Sequence, residues 1–148
     1  MADDDPRGFT PFPSAAATGE RRRVLIVDDD LDFLEVAEAE LVAYGFEVAR
    51  ARGGLRAVFL ATQDVPDAIL CDLRMPGIDG FVVAEALRAD PATRHTAIFA
   101  CTGRRDLGAR AICRSSAFDA VLVKPVDWEE VARCLEEAIA SRRSEARP

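Results

Sequence analysis

The segment Val24-Leu25-Ile26-Val27-Asp28-Asp29-Asp30 sets four apolar residues directly before three consecutive carboxylates. Three later stretches repeat the arrangement. Ala68-Ile69-Leu70-Cys71 stops at Asp72, Ala97-Ile98-Phe99-Ala100-Cys101 stops at Thr102, and Ala120-Val121-Leu122-Val123 stops at Lys124. Continuous apolar runs of strand length predict strands covered on both faces. Phe46-Glu47-Val48-Ala49-Arg50 alternates instead, and predicts a less buried edge strand.

The segments between these runs have helical periodicity. Leu34, Ala37 and Leu41 share one face; Val58 and Leu60 fall in a second helix; Phe81, Ala84 and Leu87 fall in a third. Trp128, Val131, Ala132 and Leu135 mark the last helix, and 106–116 reads as a further one although Gly108 lies inside it. Five βα units in series predict an α/β fold with an open parallel sheet and helices on both faces. All strands of such a sheet point the same way, with right-handed crossovers. Asp28, Asp29, Asp30, Asp72, Thr102 and Lys124 are then brought to its carboxyl edge, where such sheets bind ligands.

The chain has 148 residues, enough for one domain with a real core. Residues 1–20 mix Asp, Pro, Gly, Ser, Thr and Ala without periodicity and predict a flexible tail. Residues 142–148 are polar and Arg-rich and predict a second tail, leaving the domain over 21–141. No apolar run approaches the ~20 residues that span a bilayer, which excludes membrane insertion. The start is acidic and lacks the apolar core of a secretory signal. The net charge of -7 argues against a nucleic-acid surface, which needs a basic face. Cys71, Cys101, Cys113 and Cys134 are scattered without a CxxC pair. That pattern fits a reducing cytoplasm and argues against zinc ribbons and disulfide scaffolds. His95 is the only histidine and Lys124 the only lysine in a chain otherwise rich in arginine.

Carboxylates gathered this closely raise one another's pKa. A divalent cation relieves the repulsion, and Mg²⁺ suits hard oxygen ligands while keeping several waters. An Asp beside Mg²⁺ and a lysine is equipped to attack a phosphoryl group. The cation and the ammonium neutralise the equatorial oxygens, and a threonine hydroxyl donates to one of them.

The motifs VLIVDD (24–29), DLRMPGIDG (72–80), Cys101-Thr102-Gly103 and Val123-Lys124-Pro125 resemble, in order and spacing, the receiver domain of two-component response regulators. The resemblance covers about 24–140. It implies a flavodoxin-like (βα)5 doubly wound parallel sheet with strand order 2-1-3-4-5. It implies Asp72 as phosphoacceptor and a Mg²⁺ site formed by the acidic pair Asp28 and Asp29, with Asp29 favoured as the direct ligand of the two, together with Asp72 and the backbone carbonyl of Arg74. Thr102 and Lys124 are implied to bind phosphoryl oxygens, and the Lys124-Pro125 bond to be cis. The implied donor is a histidine kinase or histidine phosphotransfer protein. The chain is then a receiver that phosphorylates and dephosphorylates itself, rather than an enzyme acting on a separate substrate.

Other residues have plainer readings. Asp30 reads as a helix N-cap and Asp79-Gly80 as a turn before the third helix. Cys71 reads as a small buried apolar residue, Trp128 as helix-face packing, and His95 as structural. Two departures from the family pattern stand out. Val121 replaces the aromatic residue usual three positions before the lysine, and Arg104 and Arg105 make the loop after Gly103 basic. A DNA-binding output domain is not expected. Output is expected through contact with a downstream protein or onward relay, from a monomer or weak dimer. A stand-alone relay partner and a piece of a hybrid kinase both stay open. A pseudo-receiver that never takes phosphate is one alternative. The other, a metal-dependent phosphohydrolase, would carry a second Asp where this chain has Arg74.

Overall fold

Alternate residues of each apolar run face opposite sides of a sheet, so a run buried throughout needs helices on both faces. The computed structural model, which describes residues 8–13, 22–103 and 116–146, has that arrangement. In chain order its elements are β1 (Phe9–Thr10), β2 (Arg23–Val27), α1 (Leu31–Ala43), β3 (Glu47–Ala51) and α2 (Gly54–Gln63). They continue with β4 (Ala68–Cys71), α3 (Gly80–Ala89), β5 (Ala97–Thr102), β6 (Ala120–Val123) and α4 (Trp128–Ala146).

On one side of the sheet, Leu25, Val27, Ile69, Cys71 and Ile98 pack with Ala57 and Leu60 of α2 and Val83 and Leu87 of α3. On the other, Val24, Ile26, Leu70 and Phe99 pack with Leu34 and Leu41 of α1 and Val131 and Leu135 of α4. Each fully buried Leu, Ile, Val or Phe among these contributes about 1.5–3 kcal/mol. The expected inward faces of α1 and α4 are present, with Trp128 half-buried at the edge of the core.

The sheet order is β1-β3-β2-β4-β5-β6. The five strands β2 to β6 are parallel and keep the flavodoxin-like order expected from the sequence. Register fixes the site. Val27 pairs with Cys71, Cys71 with Ala100, and Thr102 with Val123. Asp28, Asp72, Thr102 and Lys124 therefore emerge at the same end of the sheet, Thr102 one position and Lys124 two positions beyond the level of Asp28 and Asp72.

Three expectations are corrected. Residues 9–10 are not a structureless tail. They pair antiparallel with β3, Phe9 opposite Ala51 and Thr10 opposite Arg50. Phe12 is buried, with the Arg23 guanidinium 4.9 Å from its ring centroid. As a result β3 is not the edge strand, and all five of its residues are buried. Its alternation comes from Glu47 and Arg50, which are tolerated inside because Glu47 pairs with Arg23 at 3.3 Å and Arg50 with Glu38 at 3.2 Å. Finally, α4 runs to Ala146 rather than ending at 141, held by Arg142 on Asp119 (2.6 Å) and Arg143 on Asp67 (3.0 Å). Apart from Ser116, which is in a turn, the helix expected over 106–116 lies outside the described residues, as do residues 1–7, 14–21 and 147–148.

Candidate functional site

Asp28 follows β2 and is buried. Its backbone N–H donates to Ala51 O (3.1 Å), its Oδ1 accepts from the Asp30 N–H (3.0 Å), and its Oδ2 accepts from Lys124 Nζ (2.6 Å). Asp29 is exposed. Asp30 caps α1, accepting from the N–H groups of Asp32 (3.0 Å) and Phe33 (3.4 Å), as its sequence position predicts. Asp72 follows β4, half-buried, and its N–H donates to Val27 O (2.9 Å). Its Oδ1 accepts from the Arg74 N–H (3.4 Å), while the Arg74 side chain is exposed. Thr102 ends β5 and is buried. Its carbonyl accepts from the Lys124 N–H (2.8 Å), and the Lys124-Pro125 bond is cis. The structure thus brings Asp28, Asp29, Asp72, Thr102 and Lys124 to one edge of the sheet.

Glycine is required in the loop that carries Asp72. A Cβ on Gly80 would collide with the Asp72 carbonyl oxygen and lie 3.0 Å from Leu73 Cα. Only a residue without a side chain lets α3 start this close to the strand end. Asp79 caps that helix, its Oδ1 accepting from the Val82 N–H (3.1 Å).

Burial pushes the Asp72 carboxyl up to about 6, and the charge of Asp28 adds to it. Lys124 and the Arg74 N–H oppose the rise, and Asp29 adds a little more. Burial pulls the Lys124 ammonium down, but its hydrogen bond to Asp28 and the charges of Asp28 and Asp72 outweigh this, and its pKa is raised. Burial also pushes the Cys101 thiol up to about 12 and raises that of Cys71, which keeps both unreactive.

Oxygen atoms of Asp28, Asp29 and Asp72 lie within 4.8 Å of one another. This is a hard, all-carboxylate donor set whose mutual repulsion a divalent cation relieves, and it fits Mg²⁺.

The sequence did not reveal Phe33. The Lys124 ammonium lies 4.1 Å from its ring centroid, and the ring is 5.8 Å from that of Trp128. Val121 is half-buried against the α2/α3-side core. Arg104 and Arg105 lie outside the described residues. His95 is exposed before β5, at the opposite edge of the sheet. Among the described residues no helix is long and apolar enough to cross a membrane.

A model of the response regulator receiver domain matches residues 24–136. The response regulator PleD of Caulobacter vibrioides is 40% identical over 105 residues, which are 71% of this chain and 23% of PleD. The transcriptional regulatory protein PrrA of Mycobacterium tuberculosis is 37% identical over 124 residues, 84% of this chain and 52% of PrrA. The chain therefore spans about a quarter and about half of these relatives. Among solved structures, the receiver domain of a sensor histidine kinase from Pseudomonas aeruginosa is 32% identical with a TM-score of 0.74, covering 81% of this chain and 98% of that one. That structure holds a magnesium ion coordinated in its active-site cleft.

Proposed function

The chain belongs to the response regulator receiver domain family, and from that premise we propose that it accepts a phosphoryl group on Asp72 from a phosphohistidine. The observation that carries this reading is the meeting of three carboxylates within 4.8 Å beside the single lysine, whose ammonium is 2.6 Å from Asp28.

A carboxylate oxygen of Asp72 attacks phosphorus. The oxygen–phosphorus bond forms, the phosphorus–nitrogen bond of the donor breaks, and its electron pair returns to the imidazole. Asp72 is ionised for this at neutral pH, since its carboxyl titrates at about 6. Asp28, Asp29, Asp72 and the Arg74 carbonyl would hold Mg²⁺, which would supply charge neutralisation at the phosphoryl oxygens. Thr102 and Lys124 bind those oxygens from the other two strand ends. Asp28 keeps Lys124 charged and in place until the phosphoryl group arrives.

The donor is a histidine kinase or a histidine phosphotransfer protein, and the chain works in the cytoplasm. It signals by contact with a downstream protein or by onward relay, and turns over no separate substrate. Intact-mass measurement after acetyl phosphate and Mg²⁺ tests this. One phosphoryl group should add to the wild type and none to Asp72→Ala. Release of inorganic phosphate without an adduct, no reaction at all, or an adduct on Asp72→Ala would each overturn it.

A further inference from the structure

We infer that Phe33 is a positioning residue for Lys124 and that it couples the place of the ammonium to helix α4 through Trp128. The inference rests on the acceptor role proposed for Asp72.

Three contacts carry it. The Lys124 ammonium lies 4.1 Å from the Phe33 centroid, with its side chain only 23% exposed. A cation over a ring face is drawn to the ring's negative face, and more strongly when partly desolvated. The root of the ring is fixed, because the Phe33 N–H is capped by Asp30 and the Leu34 N–H donates to Asp30 O (3.1 Å). On the far side, the ring meets Trp128 at 5.8 Å and a 38° tilt. Trp128 opens α4, and both rings pack against the α1/α4-side core.

Asp28 and Phe33 therefore hold the ammonium from two sides while Asp72 is unmodified. A phosphoryl group on Asp72 exchanges the single carboxylate charge for the roughly one and a half to two charges of an acyl phosphate, carried on three strong acceptor oxygens, and competes with both holders. When the ammonium leaves the ring face, the ring loses its cation. The Phe33–Trp128 contact then relaxes and carries the change to the start of α4. Val121 has no ring with which to offer a second route on β6.

Lys124 is the only lysine and Trp128 the only tryptophan, so each gives a single signal. The experiment labels lysine with ¹³C at Cε and follows its resonance together with Trp128 emission, before and after Mg²⁺ and beryllofluoride. In the wild type the ring current of Phe33 displaces the Lys124 signal upfield, and beryllofluoride changes both signals. In Phe33→Leu the upfield displacement is lost and the emission change falls roughly threefold or more. Phosphoryl uptake from acetyl phosphate slows by roughly two- to thirty-fold, the range a cation–ring contact spans. Phe33→Tyr restores all three, and circular dichroism shows both variants folded. An upfield displacement that survives in Phe33→Leu, or a full emission change there, overturns the inference. Failure of the wild type to take up beryllofluoride would defeat the acceptor reading instead. The metal-free displacement would still show whether Phe33 holds Lys124.

Discussion

Lys124 Nζ donates to Asp28 Oδ2 at 2.6 Å, joining residues 96 positions apart in the chain. Asp28 is 1% exposed in its side chain and Lys124 23%. Removing one member of such a pair leaves a buried charge without its counterpart, which costs more than the pair itself contributes. The pair thus anchors β6 to the end of β2 and also sets the charge that metal and phosphoryl group meet.

Lys124→Arg should impair signalling more than its unchanged charge suggests. The ammonium fits between one carboxylate oxygen and one ring face, whereas guanidinium is a wide planar fork. Asp72 should still be phosphorylated, but binding of the downstream partner after beryllofluoride should weaken several-fold. Partner affinity equal to the wild type would show that any cation serves.

Asp29 is the exposed carboxylate of the cluster, so its neutralisation should act on metal binding with little effect on folding. In Asp29→Asn, Mg²⁺ affinity should fall roughly tenfold or more. EDTA should bring phosphorylation of the wild type to background. Calorimetric titration with Mg²⁺ measures the first, and phosphotransfer assays the second.

The raised Asp72 pKa predicts a pH dependence of stability without metal. Between 3.8, its ordinary value, and about 6, the folded protein binds more protons at Asp72 than the unfolded chain does. The stabilisation is fully present below 3.8 and is lost as pH rises through 6. The whole shift is equivalent to about 3 kcal/mol, which solvent screening at a half-buried carboxylate cuts to about 1 kcal/mol. Asp72→Asn should therefore stabilise the metal-free protein by about 1 kcal/mol at pH 7 and leave it unchanged near pH 4. Urea unfolding at the two pH values decides this; an equal effect at both would rule out the linkage.

Gly80→Ala should displace the Asp72 carbonyl, because the added methyl has no space there. The expected cost is about 1–3 kcal/mol of stability, as for overpacking elsewhere. Phosphorylation should also slow, because the acceptor moves with its backbone. Gly77 meets nothing within 4 Å but has φ +79, so Gly77→Ala should cost stability without slowing phosphorylation.

Arg74 and Arg104 should slow loss of the phosphoryl group. Arg74 is exposed two residues beyond the acceptor, and Arg104 stands two beyond Thr102 in sequence. A guanidinium pairing with phosphoryl oxygens obstructs the in-line path of water. Replacing both with Ala should shorten the phosphorylated half-life several-fold, and an unchanged half-life would place both side chains in bulk solvent.

The site was legible because each chemistry-bearing residue ends an apolar run, and parallel strands place such ends together. The clustering of Asp28, Asp72, Thr102 and Lys124 needed nothing else. Phe33 escaped because the spacing of α1 marks its inward face but not a ring that reaches a lysine on another strand. β3 was misread because the charges of Glu47 and Arg50 imitate a solvent face, while their partners Arg23 and Glu38 come from other elements. The two residues of β1 are too few to show a period. The last turn of α4 looked frayed because its stabilising acids, Asp67 and Asp119, are distant in sequence.

The short β1 ladder has a mechanical consequence. It runs opposite to β3, so Gly8 and Phe9 lie at the end of the sheet where the carboxylates gather. The Gly8 carbonyl accepts from the Arg52 N–H, Phe9 pairs with Ala51, and the Ala51 carbonyl accepts from the Asp28 N–H. Tension applied through the chain ahead of Gly8 peels this ladder from its loaded end and passes through Ala51 directly to Asp28. The backbone of the residue whose carboxylate restrains Lys124 is thereby also a point where a pull on the polypeptide is felt.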